Sequence, residues 1–393
     1  MHARIGALLL ALAVAACAAA PEPAPVIEGP LDLAALALEV RPAVEAVLGA
    51  PVPEAAAVPL EATRGELEAD LVEDLRPQVE RLHPEASALA RETLLRVTAR
   101  SSSVSVIARY SAARGRIFVA PENLLPQMEA AGLPTDPATA RDFAAAVLAH
   151  EMVHAADDAA GGLASLFRDA PDAEAVRALG MVLEGRAVHY ARLAAERLGL
   201  RPEAAAVLPG GRGPLDERRA RFLLAYREGA AFAAALEARG GRALAARPLA
   251  HPPRLTSTLF HPERYGESGE EGVPDLVAAL AASGFDGTAA TSELDLRARW
   301  LPLLGEEATI RAFSGYRAGA GRDRPGGGVS VSVHGTEEAA AAYASALRTL
   351  HDGAPREGFH AVVVVEGRTV AGAVNPLAAA AELEARRALA ATR

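Results

Sequence analysis

The sequence predicts a mainly helical α+β fold, and three observations carry that expectation. Half of the 393 residues are apolar, yet only 4% are aromatic. Alanine-rich stretches with apolar residues three and four apart therefore favour many slim helices packed closely together. Runs of β type are few and short: Val104–Tyr110, Arg116–Ala120, Val329–Val333, Ala361–Glu366 and Thr369–Val374. Helix and strand patterns alternate only towards the C-terminus, which predicts a small α+β domain there. The length allows two domains, expected at 31–290 and 291–393, behind segments 1–16 and 17–30.

Taken in order, Met1-His2-Ala3-Arg4 is a short positive start, and Ile5 to Ala16 is an apolar run. That run is too short to span a bilayer and suits a signal-peptide core. It ends in Leu12-Ala13-Val14-Ala15-Ala16-Cys17, which resembles a bacterial lipobox. Cys17 is the only cysteine, so no intrachain disulfide can form, and lipidation at Cys17 is favoured over a plain secretory cut. A lipid there would anchor the chain to a membrane of the bacterial cell envelope. Ala18 follows the cysteine, and resemblance to enteric sorting rules then points to the outer membrane. Residues 18–30, rich in alanine and proline, read as an extended tether. No later stretch is long and apolar enough to span.

Residues 31–100 read as about three amphipathic helices, broken at Pro51, Pro53, Pro59 and Pro84. Val104–Tyr110 and Arg116–Ala120, with Ser111–Gly115 between them, predict a hairpin. A long buried helix follows, from Asp136 to about Asp158: Asp136 can cap it, Pro137 suits its first position, and Phe143, Val147, Leu148 and Val153 are apolar.

That helix carries His150-Glu151-Met152-Val153-His154. At i and i+4 both imidazoles project from one face and can bind one Zn²⁺ ion. Glu151 is placed to take a proton from a metal-activated water, the H-E-x-x-H arrangement of zinc metallopeptidases. The bland alternative is a helix whose histidines face water. Zinc needs a third protein ligand. Asp157 and Ala160 exclude the metzincin pattern. Glu184 is the better candidate, on a second helix from Asp172 to about Leu198. It falls on the small apolar stripe Val176, Gly180, Leu183, Ala187, Ala191 and Ala194. A buried carboxylate needs a partner, either an ion or an arginine such as Arg141 or Arg177. Asp158 is a reserve ligand, and Asp157 and Asp158 could orient a ligating histidine.

These residues resemble a poorly characterised group of bacterial secreted proteins and lipoproteins that look like gluzincin-type zinc peptidases. The group carries H-E-x-x-H and, about thirty residues later, Glu-Gly-x-Ala, matched here by His150, Glu151, His154, Glu184, Gly185 and Ala187. Tyr226-Arg-Glu-Gly229 is similar to its next helix, and Ser257-Thr258…His261-Pro262-Glu263-Arg264-Tyr265 to a later segment. Leu304-Gly305-Glu306 and Gly321–Arg324 resemble shorter signatures. The likeness covers roughly residues 100–370. It implies a zincin-like core with one zinc ion and a peptide or protein substrate. His261 and Tyr265 are then the preferred donors to the oxyanion, ahead of His189 and Tyr190. The chain departs from the group at Asp157, where glutamine is usual, and at Arg186, where an acid is usual. By analogy with zincins, the hairpin would hold extended substrate by backbone pairing.

Past a loop at Gly210–Pro214, the C-terminal part predicts a helix near Pro302–Phe313, a glycine-rich loop at 318–324 and the strand Val329–Val333. A helix at Thr336–Leu350, a hairpin about Gly367 and a helix from Pro376 complete it. His334, His351 and His360 read as surface residues. The net charge is −10 with no basic tract, which argues against nucleic acid. No lysine occurs anywhere, which excludes a lysine Schiff base and a P-loop lysine. The expectation is a membrane-tethered zinc peptidase. A metal-binding envelope lipoprotein without turnover and a cell-wall amidase are the alternatives.

Overall fold

The computed structural model describes residues 31–84, 86–206, 215–266, 275–285, 287–324, 327–353 and 360–392. The expected signal peptide, Cys17, the tether and the Gly210–Pro214 loop lie outside the described residues. The chain is mainly helical with two small sheets, an α+β protein. It divides into two compact units. The first takes residues up to 214 and 225–252; the second takes 215–224 and 253–393. The main change of unit in the chain thus falls at 252/253, against a sequence-based step at 290/291. No helix among the described residues is long and apolar enough to cross a membrane.

The first unit opens with helix α1 (Leu33–Leu48), strand β1 (Leu60–Glu61), and helices α2 (Arg64–Leu82) and α3 (Ala88–Ser103). Strands β2 (Ala108–Ser111) and β3 (Arg116–Val119) then form the expected hairpin, turning at Gly115 with φ 63°. The first strand starts later than its β-branched run predicts. Ser102 O accepts the N–H groups of both Ser105 and Val106, so the end of α3 consumes those residues. β3 lies between β1 and β2, so among the described residues β2 keeps one edge without a partner strand. Helices α4 (Leu124–Ala131), α5 (Pro137–Gly161), α6 (Leu163–Asp169), α7 (Ala173–Leu198) and α8 (Pro202–Ala206) follow. Helix α9 (Glu217–Ala250) contributes its part from Ala225 onward.

Local chemistry sets the two long helices. Asp136 accepts from Ala138 N and Thr139 N at 3.1 and 3.0 Å, Pro137 starts α5, and Gly162 ends it at φ 67°. Asp172 accepts from Ala175 N at 2.8 Å to start α7, which ends at Gly199 with φ 66°. Helices α5, α7 and α1 share one alanine-rich core with the hairpin residues Tyr110, Ile117 and Val119. Small side chains let helix axes approach closely, which is what brings ligands on different helices together.

The second unit holds α10 (Thr256–Phe260), α11 (Leu276–Ala282), β4 (Ala289–Ala290), α12 (Glu293–Leu304) and α13 (Glu306–Phe313). Then come β5 (Tyr316–Arg324), β6 (Gly327–His334), α14 (Glu337–Gly353), β7 (His360–Glu366), β8 (Thr369–Asn375) and α15 (Ala378–Ala390). Its sheet is antiparallel throughout, in the order β4-β5-β6-β8-β7. Three expectations are corrected here. The helix placed at Pro302–Phe313 is two helices, separated at Gly305 (φ 79°), and the first is capped from Ser292. The run 318–324 is strand, not loop. Its glycines read as breakers, yet a Cβ on Gly319 would sit 2.4 Å from the Tyr316 hydroxyl, so glycine there admits a buried tyrosine beneath the sheet. His334 is fully buried rather than on the surface. It follows the alternating strand Val329–Val333, and its ring packs 4.8 Å from that of Tyr343. His351 is half-buried and His360 exposed.

Candidate metal centre

His150 and His154 stand one turn apart on α5, and Glu184 reaches them from α7. The two Nε2 atoms are 3.1 Å apart. Glu184 Oε2 lies 3.3 Å from His150 Nε2 and 3.6 Å from His154 Nε2. A tetrahedral ion with bonds of 2.0–2.2 Å requires ligand atoms about 3.3 Å apart. The triangle therefore has the dimensions of a metal site, and the three residues could hold one divalent ion. Two further features fit a cation. Glu184 Oε2 is buried with no hydrogen-bond partner among the described residues, and one potential ligand atom from each of the three residues lies within 4.8 Å of the other two. His150 Nδ1 is also buried without a partner, so the usual orienting acceptor is missing on that ring.

Electrostatics agree. Burial raises the Glu184 carboxyl, but the two imidazoles outweigh it and hold this acid well below the usual carboxylate range. Burial opposes the charged form of His154, yet the Glu184 carboxylate overcomes it and raises the imidazole to about 9.

Glu151, 9% exposed, projects from α5 beside the triangle. Its Oε2 accepts from the backbone N–H of Tyr110 at 2.6 Å, on the open edge of β2. The strand that donates is itself clamped. Arg109 pairs with Asp70 and Asp74 of α2, and Ser111 Oγ donates to Asp70 at 2.7 Å. The Tyr110 hydroxyl donates to Asp158 Oδ2 at 2.7 Å. Burial, then the Asp158 carboxylate, pushes that phenol above its ordinary value.

Asp158 is thus not a third ligand. Its carboxylate is taken by Tyr110 and by Leu163 N at 2.6 Å, where it helps start α6. Nor does Asp157 orient a histidine by hydrogen bonding. It forms a buried two-point pair with Arg186, at 3.0 Å to Nε and 2.9 Å to Nη2. Asp157 and Arg186 therefore face and neutralise each other, one on α5 and one on α7. Arg186 also donates to Ala245 O of α9. His189 and Tyr190 are engaged elsewhere: His189 Nε2 lies 2.6 Å from Glu237, and the Arg186 guanidinium stands over the Tyr190 ring. His261 and Tyr265 belong to the second unit. His261 Nε2 lies 3.7 Å from the buried Glu293, and Tyr265 is buried.

Sequence reasoning missed Tyr226. This residue, 6% exposed, hydrogen bonds Glu184, and its ring stacks on His150 with centroids 6.1 Å apart and planes 10° apart. Two glycines place it there. A Cβ on Gly185 would fall 2.0 Å from Gly229 C, and one on Gly229 would fall 2.2 Å from Met181 O. Helices α7 and α9 consequently touch backbone to backbone, with Glu184 next to one glycine and Tyr226 one turn from the other. The signal was the Tyr-x-x-Gly spacing at 226–229, which by itself says nothing of a carboxylate on another helix.

No family model matches this chain, and no curated protein matches it. Among solved structures, it is similar to a crystal structure from Chloroflexus aurantiacus described as a "putative hydrolase with a novel fold". The identity is 20% and the TM-score 0.41, over 60% of this chain and 90% of that one. A likeness of that degree carries no argument about this chain's chemistry.

Proposed function

We propose that the protein is a zinc-dependent peptidase with a zincin-like site, tethered to a membrane of the bacterial cell envelope through Cys17. The observation that carries the catalytic part is the His150–His154–Glu184 triangle with Glu151 alongside. Support for the tether is the lipobox-like Leu12–Cys17 and the alanine- and proline-rich segment after it. The choice of zinc rests on ligand type: two imidazoles and one carboxylate suit it.

When bound, the ion supplies Lewis acidity to a water and to the scissile carbonyl. Glu151 takes the proton of the attacking water and passes it to the departing amine. Its bond from Tyr110 N–H fixes one carboxylate oxygen and leaves Oε1 outside that contact. By analogy with zincins an extended peptide would pair with the β2 backbone groups left over beside this carboxylate, since the N–H groups of Tyr110 and Ala112 are taken by Glu151 and Asp74. His261 and Tyr265 stand as proposed oxyanion donors on the resemblance of their segment alone. His261→Ala and Tyr265→Phe are each expected to lower kcat by about 10²-fold, the scale of losing one such donor.

The test is metal analysis of purified protein beside a peptide-library digest with and without chelator. Glu151→Gln should retain the ion and lose turnover, by about 10²-fold or more for loss of a general base. Glu184→Ala should bind the ion far more weakly, keeping only the residual affinity of the two imidazoles. Full zinc affinity in Glu184→Ala would overturn the ligand assignment. Wild-type metal content with no cleavage of any peptide would favour a metal-binding lipoprotein, or an amidase if cell-wall amides are cut instead.

A further inference from the structure

We infer that Tyr226 is a positioning residue of the metal centre, its hydroxyl holding Glu184 so that the carboxylate presents a single oxygen to the ion. The inference rests on the metal-site reading above and adds a third helix to it. Glu184 Oε2 faces both imidazoles, 3.3 and 3.6 Å away. Tyr226 hydrogen bonds the same carboxylate from α9. A carboxylate held by a phenol donor loses part of its freedom to swing and chelate through both oxygens. One-oxygen ligation leaves a further coordination position, which a catalytic site needs and a closed structural site does not.

The position is over-determined by packing. Tyr226 is buried, so its hydroxyl has little choice of partner. Its ring lies parallel to His150, which fixes the direction of the phenol oxygen and supports a ligand ring whose Nδ1 has no acceptor. The Gly185–Gly229 contact sets the separation of α7 and α9 at the ligand itself, since any side chain at either place would push backbone from backbone. Three helices thus meet at the site: α5 gives two imidazoles, α7 the carboxylate, and α9 the group that orients the carboxylate.

Tyr226→Phe in the full chain removes one oxygen and keeps the stacked ring. Zinc affinity is read by competition with a chromophoric chelator, and coordination by the visible spectrum of the Co²⁺-loaded protein. The expected result is about 10- to 100-fold weaker zinc binding, the usual range for an orienting partner. The Co²⁺ band should weaken as Glu184 moves to two-oxygen ligation, with far-ultraviolet dichroism unchanged. Equal affinity and an identical Co²⁺ spectrum would overturn the inference. A second comparison isolates the route: in a Glu184→Ala background, Tyr226→Phe should cost nothing further. The same loss in both backgrounds would show a general packing role and overturn it as well. Failure of the underlying site has a separate signature, since wild-type protein would then bind neither Zn²⁺ nor Co²⁺. Binding by the wild type that Tyr226→Phe leaves unaltered would sink only the role given to Tyr226.

Discussion

Single side chains divide into those legible from sequence and those visible only once the chain is folded. His150, His154 and Glu151 announce themselves because metal chemistry needs rare residue types at helical spacing. Glu184 is readable for a different reason: an acid on an apolar stripe must have a partner. Asp157 and Arg186 show the limit. Each reads as an isolated departure from a pattern, and only the packing of α5 on α7 shows that they form one buried pair, 2% and 4% exposed. Removing one member strands the other's charge. Asp157→Asn should therefore lower the unfolding free energy by about 3–5 kcal/mol, whereas the joint change Asp157→Leu with Arg186→Met should recover most of it. Urea titration of wild type, Asp157→Asn and the joint variant reads both changes. A loss under ~1 kcal/mol in Asp157→Asn, the range of surface pairs, would show that the pair is not desolvated in solution.

At the level of elements, capping and periodicity predict α5 and α7 well, because Asp136, Pro137 and Asp172 act locally. Strand β5 escapes the same rules. Glycine weakens a strand on its own, so 318–324 looks like loop until the neighbouring strands and the Tyr316 hydroxyl supply the reason for the glycines. Contact between α7 and α9 is similarly silent in sequence, since two glycines far apart in the chain carry no sign that they meet. Gly229→Ala tests that contact. Its methyl group would meet Met181 O at 2.2 Å, a backbone atom that cannot turn aside. The cost should be at least the ~1–3 kcal/mol of ordinary overpacking. Zinc affinity should fall in the same variant, because Glu184 and Tyr226 flank the point that is forced apart. Thermal melting and chelator competition on one preparation read both effects. Unchanged affinity with a lowered melting temperature would separate the crossing from the site.

For the whole molecule, the two units differ in what limits them. The first buries His150 and Glu151 at the proposed centre and the Asp157–Arg186 pair on the same two helices. The second buries His334, with Nε2 3.0 Å from Ser332 Oγ and the rings of Tyr343 and Tyr316 beside it. Burial lowers that imidazole from 6.5 to about 4. The folded state thus resists a proton that the unfolded chain accepts. Its contribution is undiminished above about pH 6.5 and is lost progressively as pH falls towards 4, by roughly 3 kcal/mol in all. Melting of the second unit should accordingly drop between pH 6.5 and 4, and His334→Leu should flatten that limb. An acid limb of equal slope in the variant would place the sensitivity in other groups.

The backbone contact at Gly185 and Gly229 has a consequence for how the protein would age under heat. Carboxylate, tyrosine and rod-to-rod seam share one pivot, so parting the rods dismantles the whole cage at once. Release of the ion and loss of helix docking would then be a single event, and a lightly frayed molecule that has shed its metal but kept its shape should not accumulate.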